Sequence, residues 1–324
     1  MEQGGSRQPR VLVIRGGAIG DFILTLPAIR LLRENIPQAH LEILGYPSII
    51  ALATAAGLAD STRQLEHSGM AKLFVPNVAL DEALMSYFRS FNLVVSYLYD
   101  PDGYFRGNME RIGVKTFLEA SHRVEANQGH AAEQLAKPLE SLAMYLDDPA
   151  PRLMFETDPV SRLARPVVVL HPGSGSLKKN WPVERWIQTA RKLHQAHPDH
   201  QLAVVTGEAE LERGITAQML AGLEDLDFLH WDQLPLTELA RRMTGSRAFV
   251  GHDSGISHLA AACGLPCLLF FGPTDPATWA PRNEAVEVFI APEGDLSMLD
   301  GFAGWTAIQA FLRKVPEKKH APGL

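Results

Sequence analysis

Val11-Leu-Val-Ile-Arg-Gly-Gly-Ala-Ile-Gly-Asp21 decides how this chain is read. Four apolar residues in a row, Val11 to Ile14, suit a strand covered on both faces, the situation of a parallel sheet. The glycines allow a tight turn, and a helical stretch follows from Asp21 to about Asn35. The same unit restarts at Pro166-Val-Val-Val-Leu170. There the turn is His171-Pro-Gly-Ser-Gly-Ser176 and the helix Trp181–His197, with Pro182 in the first turn, where a missing N–H is harmless. A strand, a small-residue turn and a helix, repeated, predict an α/β fold with parallel sheets.

Further strands read outward from these two at Leu41–Leu44, Leu93–Leu98, Leu202–Thr206, Ala248–Gly251 and Pro266–Phe271. Helices are expected over Ile49–Ala56, Leu80–Phe88, His130–Tyr145, Ser254–Cys263 and from about Trp305 to Lys314. The stretch Asp147 to Pro166 is rich in Pro, Asp and Arg and reads as a linker. The expectation is therefore two Rossmann-like domains, residues 1–158 and 159–324, facing a central cleft. The last helix is expected to pack back on the N-terminal domain, and the tail from Pro316 to fray. In open α/β sheets, ligands bind at the carboxyl ends of the strands, so the turns are where chemistry is sought.

Composition narrows the classes. The chain has 324 residues, enough for two domains. Thirty Lys+Arg against 37 Asp+Glu leave a net charge of −7, with no basic excess for a nucleic-acid partner. The two cysteines, Cys263 and Cys267, exclude a disulfide framework and point to a reduced, cytoplasmic compartment. They flank a helix-to-strand junction and read as buried hydrophobes. No apolar run is long enough to span a membrane, and Met1 to Arg10 lacks the apolar core of a signal peptide. Gly45 to Ala59 carries no charge; with Phe22 and Tyr46 it lines the path of an amphiphile or is simply a buried helix.

Three segments carry the candidate chemistry. Arg15 to Asp21 misses the dinucleotide fingerprint, because Arg15 stands where glycine is required and Leu44-Gly45 where an acid is required. Gly17 and Gly20 still let the backbone approach a ligand closely. Asp21, at the helix start, is either a helix cap or a carboxylate that stays ionised and takes a proton from a hydroxyl. His171 to Pro182 offers backbone N–H groups, serine hydroxyls and Lys178 and Lys179, a set that suits a diphosphate as well as an ordinary loop. It is not a Walker loop. Gly251-His-Asp-Ser-Gly-Ile-Ser-His258 opens another helix with Asp253 and Ser254, again as caps or as ligand-binding groups. Asp253 and His258 lack the spacing of a two-ligand helix and have no evident third partner, so no metal site is expected. No Gly-x-Ser-x-Gly elbow occurs, and a hydrolase triad finds no support.

In this order and spacing the segments resemble glycosyltransferase family 9, the heptosyltransferases of lipopolysaccharide assembly, which have the GT-B fold. The resemblance rests on Gly20-Asp21 with Thr25-Leu-Pro-Ala28, Lys179-Asn-Trp-Pro182 and Gly207-Glu208. It is strongest at Asp253-Ser-Gly-Ile-Ser-His-Leu-Ala260 and Phe271-Gly-Pro-Thr-Asp-Pro276. It implies that Asp21 is the general base, with Gly17 and Gly20 on the acceptor side. It implies that Lys179 meets donor phosphate or sugar and that Glu208 holds the ribose. Asp253, Ser254, Gly255 and His258 would grip diphosphate and sugar, Ser174 and Gly175 would line the phosphates, and Leu234 would lie against adenine. It further implies ADP-heptose as co-substrate with no other cofactor, and a lipid A–core oligosaccharide acceptor met peripherally at the inner membrane. The chain departs from the family at Arg15-Gly-Gly17, in lacking a Cys-containing segment after Pro276, and over Ala291–Ala303. Two other readings stay open: a nucleotide-sugar-binding protein without transfer activity, and a GT-B enzyme using another nucleotide sugar, such as an epimerase.

Overall fold

The structure is a computed structural model that describes residues 8–65, 69–155 and 165–316. The polar first residues, the tail beyond 316 and the expected boundary at 158/159 lie outside the described residues. Contacts divide the chain into two compact units, Met1–Pro149 and Ala150–Leu324. The division falls ahead of the expected boundary because residues 150–155 are tied to the second unit. The Leu153 N–H donates to Ala262 O at 2.8 Å, and the Asn283 side chain to Pro151 O at 2.8 Å.

Among the described residues the first unit holds five parallel strands, β1 (Arg10–Arg15), β2 (His40–Gly45), β3 (Ser61–Gln64), β4 (Leu93–Ser96) and β5 (Phe117–Glu119). Their order is β3-β2-β1-β4-β5, so the winding reverses between β1 and β4. The helices are α1 (Ile19–Asn35), α2 (Pro47–Ala55), α3 (Glu82–Arg89), α4 (Tyr104–Ile112) and α5 (Ala131–Ala136). Leu12 and Ile14 of β1 pack with Leu44, Phe88, Phe91, Val94, Phe105 and Met109. Alternate residues of the run 11–14 thus face opposite helical layers, which is why the run is apolar throughout. The helix expected over His130–Tyr145 is two pieces, α5 and a 3-10 turn at Lys137–Leu142. Pro138 lacks the N–H that would continue the α pattern.

Among the described residues the second unit holds six parallel strands: β6 (Val167–Leu170), β7 (Gln201–Thr206), β8 (Phe228–Asp232), β9 (Ala248–His252), β10 (Cys267–Phe271) and β11 (Val286–Ile290). The order β11-β10-β9-β6-β7-β8 is that of the dinucleotide-binding sheet, with the switch point between β6 and β9. Helices α6 (Val183–Ala196), α7 (Glu208–Glu212), α8 (Ile215–Gly222), α9 (Leu236–Gly245), α10 (Gly255–Ala262), α11 (Pro276–Trp279) and α12 (Gly301–Lys314) connect and cover it.

The final helix, expected on the N-terminal domain, buries Ile308, Phe311 and Leu312 in the core of the second unit. Gly304 makes that fit, since a Cβ there would lie 2.6 Å from the Trp181 ring. The unmatched stretch Ala291–Ala303 belongs to the same core. Leu296 and Leu299 are buried, and Leu299 O accepts from Trp181 Nε1 at 2.8 Å. Cys267 is buried in β10, and its thiol is pushed well up by that burial. Among the described residues no helix is long and apolar enough to cross a membrane.

Candidate functional site

In the second unit three strand ends meet at the switch point. The β6 end supplies His171 and the loop to Lys179, β7 supplies the turn into α7, and β9 supplies Asp253 at the start of α10. Lys179 Nζ lies 2.6 Å from Asp253 Oδ2. Thr274, after β10, donates its hydroxyl to the same oxygen at 2.7 Å, and His258 Nε2 lies 3.8 Å from Oδ1. Burial pushes the Asp253 carboxyl up, but the nearby His258 ring and the Lys179 charge outweigh it, holding Asp253 well below the usual carboxylate range. His258 Nδ1 is buried with no hydrogen-bond partner among the described residues, a polar atom that ordinarily needs one.

Ser254 is the N-cap of α10, its Oγ accepting from the Ser257 N–H at 3.2 Å. Gly255 follows as the first helical residue, and the N–H groups of a first turn have no intrahelical acceptor. Ser174 is buried, and its hydroxyl is spent inside the loop on Asn180 Oδ1 at 2.6 Å or Ser176 O at 2.8 Å. Gly175 is exposed in that loop, as are Leu177 and Lys178, and a Cβ on Gly175 would meet nothing within 4 Å. Glu208 is exposed at the start of α7, and Leu234 is half-buried in the turn from β8 to α9. The structure thus brings Lys179, Asp253 and His258 into one network, turns the hydroxyl of neighbouring Ser254 toward His171, and sets Glu208 and Leu234 on the β7 and β8 ends beside it.

The framework beneath this network was not read from the sequence. His252 ends β9 fully buried. Its Nε2 accepts from the Trp181 N–H at 2.8 Å and from Trp186 Nε1 at 3.3 Å, which leaves the proton on Nδ1, 3.4 Å from Gly173 O. Burial pushes the His252 imidazole down to about 3, so the ring is neutral. Arg213 pins the loop by donating to Ser174 O at 2.6 Å and Gly175 O at 3.1 Å. Thr274 could have been singled out, since it sits inside the quoted motif ending at Pro276; nothing local marks Arg213.

In the first unit, β1 ends at Arg15 and α1 begins after Gly17. Ala18 is the N-cap, so the expectation that Asp21 fills that position is corrected: Asp21 is the third helical residue. Its Oδ2 reaches back to accept from the Ala18 N–H at 3.0 Å. Its Oδ1 lies 3.7 Å from the buried Arg15 guanidinium, and the carboxylate stays 39% exposed. Gly17 has φ +96°, and a Cβ there would lie 2.8 Å from Asp21 Oδ2. Glycine is therefore required twice, for its dihedral and for the space. Gly20 is half-buried in the first turn. Phe22 is buried, and α2 buries Ile50, Leu52 and Ala53 while Tyr46, Pro47 and Ser48 stay exposed, so the uncharged stretch Gly45–Ala59 is buried on one face only.

Among the described residues, one cluster has metal-ligating residue types. His197, Asp199 and His200 bring their ligand atoms within 4.8 Å of one another. However, Arg247 donates to His200 Nε2, so Nδ1 carries the proton, toward Asp199 Oδ1 at 2.9 Å, and has no lone pair to offer.

Residues 83–300 match glycosyltransferase family 9 (heptosyltransferase). The chain is 33% identical over 156 residues to lipopolysaccharide heptosyltransferase 1 of Pseudomonas aeruginosa, covering 48% of this chain and 41% of that one. It is 25% identical over 338 residues to lipopolysaccharide heptosyltransferase 1 of Escherichia coli O18:K1:H7, covering 95% and 98%. The solved structure of E. coli heptosyltransferase WaaC with ADP shares the fold, with a TM-score of 0.72 at 18% identity over 93% of this chain and 99% of that one.

Proposed function

The chain belongs to glycosyltransferase family 9, and from that premise we propose that it transfers heptose from ADP-heptose to a lipopolysaccharide core acceptor, inverting the anomeric centre. The observation that carries this reading is the joined Lys179–Asp253–His258 network at the switch point of the second unit, with the first turn of α10 beside it. An ammonium, a helix N-terminus and an exposed Gly175 are what a diphosphate needs. The relatives named for heptosyl transfer and the neighbour named with ADP support the choice of nucleotide and sugar.

In the proposed reaction the acceptor hydroxyl oxygen attacks C1 of the donor heptose. Asp21 takes the hydroxyl proton as the new C–O bond forms. The bond from C1 to the diphosphate oxygen breaks with its electron pair, and ADP leaves. Lys179 and the α10 N–H groups stabilise the charge that develops on ADP, the largest expected contribution to the rate. One displacement inverts C1, and these protein groups supply the positive charge without a metal ion or further cofactor. In this reading His258 contacts the sugar, Glu208 the ribose and Leu234 the adenine. The acceptor is a lipid-linked core oligosaccharide, reached by peripheral contact at the cytoplasmic face of the inner membrane.

Incubation with ADP-heptose and truncated, heptose-deficient core lipid, read by mass spectrometry, tests the reading. A mass gain of one heptose is expected. A thermal shift with a UDP-sugar and none with ADP or ADP-heptose would overturn the choice of donor.

A further inference from the structure

Behind the candidate diphosphate site runs a buried polar chain that the proposed reaction does not use. His171, the first residue after β6, points Nδ1 at Ser254 Oγ, 3.3 Å away, and Nε2 at Glu210 Oε1, 3.8 Å away. All three residues are buried. They come from three strand ends, β6, β7 and β9, at the switch point. From this geometry we infer that Glu210 and His171 are positioning residues that set the hydroxyl of Ser254 and so aim the first turn of α10 at the donor diphosphate. This rests on the donor-binding reading of the second unit.

Glu210 is the source of the order. It sits in the first turn of α7, where Oε2 accepts from the Gly207 N–H at 2.8 Å. Its carboxylate presses on Gly173, where a Cβ would lie 1.9 Å from Oε1. Burial opposes ionisation, but His171 and the Gly207 N–H outweigh it and hold the carboxyl below its usual range. A buried carboxylate must have its oxygens matched by donors. With Gly207 on one oxygen, the other faces His171 Nε2 at 3.8 Å, and the inferred chain places that nitrogen's hydrogen on the Glu210 side.

The rest follows from counting protons. In the tautomer with hydrogen on Nε2, Nδ1 offers a lone pair. The Ser254 O–H then has two inward acceptors, His171 Nδ1 at 3.3 Å and Ser257 Oγ at 3.0 Å, and the inferred chain uses the first. Ser254 Oγ also accepts from the Ser257 N–H as the helix cap, while the Ser257 hydroxyl donates to His252 O. The Ser254 hydroxyl is thus locked and is not itself a ligand for the diphosphate. What α10 presents are the N–H groups of Gly255 and Ile256, which helix geometry leaves without acceptors. Gly173, in the same loop, is bonded to His252 and abuts Glu210, so one carboxylate organises both walls of the site.

Glu210→Gln tests this with little change of shape. An amide N–H facing His171 Nε2 makes that nitrogen the acceptor and drives the proton to Nδ1. Ser254 then receives a hydrogen bond from the ring and its own proton turns elsewhere. In the whole protein, 15N NMR of the His171 ring is expected to report the Nε2–H tautomer in wild type and Nδ1–H in Glu210→Gln. The Kd for ADP by calorimetry is expected to rise about tenfold, the size of one misplaced hydrogen bond. A wild-type ring protonated on Nδ1 overturns the proposal whether or not the variant folds. So does a folded variant with wild-type tautomer and wild-type ADP affinity, which leaves Glu210 as packing alone. A wild type that binds no ADP at all fails the donor-binding reading instead, and the ring spectrum still judges the hydrogen-bond chain.

Discussion

Lys179 Nζ lies 2.6 Å from Asp253 Oδ2, although 74 residues separate the two in the chain. The pair joins the β6 loop to the end of β9 across the switch point, and Thr274 completes the set on the same oxygen. A carboxylate beside a diphosphate is tolerable only while a cation accompanies it.

Lys179→Ala should therefore lower ADP affinity by more than the loss of one cation, since Asp253 is left facing the diphosphate with less compensation. A rise in Kd of at least tenfold is expected by calorimetry. Lys179→Ala combined with Asp253→Asn should recover part of it. Unchanged affinity in the single variant removes Lys179 from the site.

Asp21→Asn should lower kcat by roughly two to four orders of magnitude, the usual contribution of a general base, with ADP affinity kept. The amide oxygen can still accept from the Ala18 N–H, so the melting temperature should hold. Turnover near wild type in steady-state assays would reduce Asp21 to a helix-start residue.

Two glycines should respond in opposite ways to alanine. At Gly175 the added methyl meets open space, so stability should stay while ADP affinity falls, because the methyl occupies the face where the diphosphate would lie. At Gly17 the positive φ and the closeness of Asp21 should lower stability by on the order of 1–3 kcal/mol and displace the carboxylate. Denaturant midpoints and calorimetry on both variants separate the effects. A Gly175→Ala protein that binds ADP like wild type puts the diphosphate elsewhere.

Acid should destabilise the second unit in two windows. The His252 imidazole binds a proton near its ordinary value of 6.5 once unfolded but only near 3 in the fold, because burial excludes the charge. Between these values the unfolded state holds more protons, so stability falls as pH drops from about 6.5 toward 3. The loss should be on the order of 3 kcal/mol by about pH 4. Glu210 and Asp253 have lowered carboxyls, so their contribution is complete above the ordinary carboxylate value and is lost only below it. Urea midpoints measured against pH check this, and a flat profile between about pH 6.5 and 4.5 would refute the neutral, buried role of His252.

How far the residues speak for themselves depends on where they sit. The runs 11–14, 167–170 and 267–271 were legible as strands because helices cover both their faces. The edge strand β3, Ser-Thr-Arg-Gln, was not, because most of it is exposed and no burial pattern is imposed on it. β5 is three residues long and leaves too short a pattern. Asp21, Lys179, Asp253 and His258 stood out because glycines and helix starts flank them. Glu210 did not, since Glu208 two residues earlier looked equally suited; only burial separates an exposed acid from one locked against His171.

By itself, then, the sequence determined the alternation of strand, turn and helix and the positions of the turns that carry polar groups. Both depend on local backbone limits and on side-chain periodicity, which act over a few residues. The tertiary structure alone decided that Lys179 meets Asp253, that Trp181 and Trp186 share the nitrogen of His252, and that Glu210 reaches Ser254 through His171. Those pairs follow from the order in which distant strands lie side by side. That order is set by burying both faces of the whole sheet at once, a condition no short segment contains.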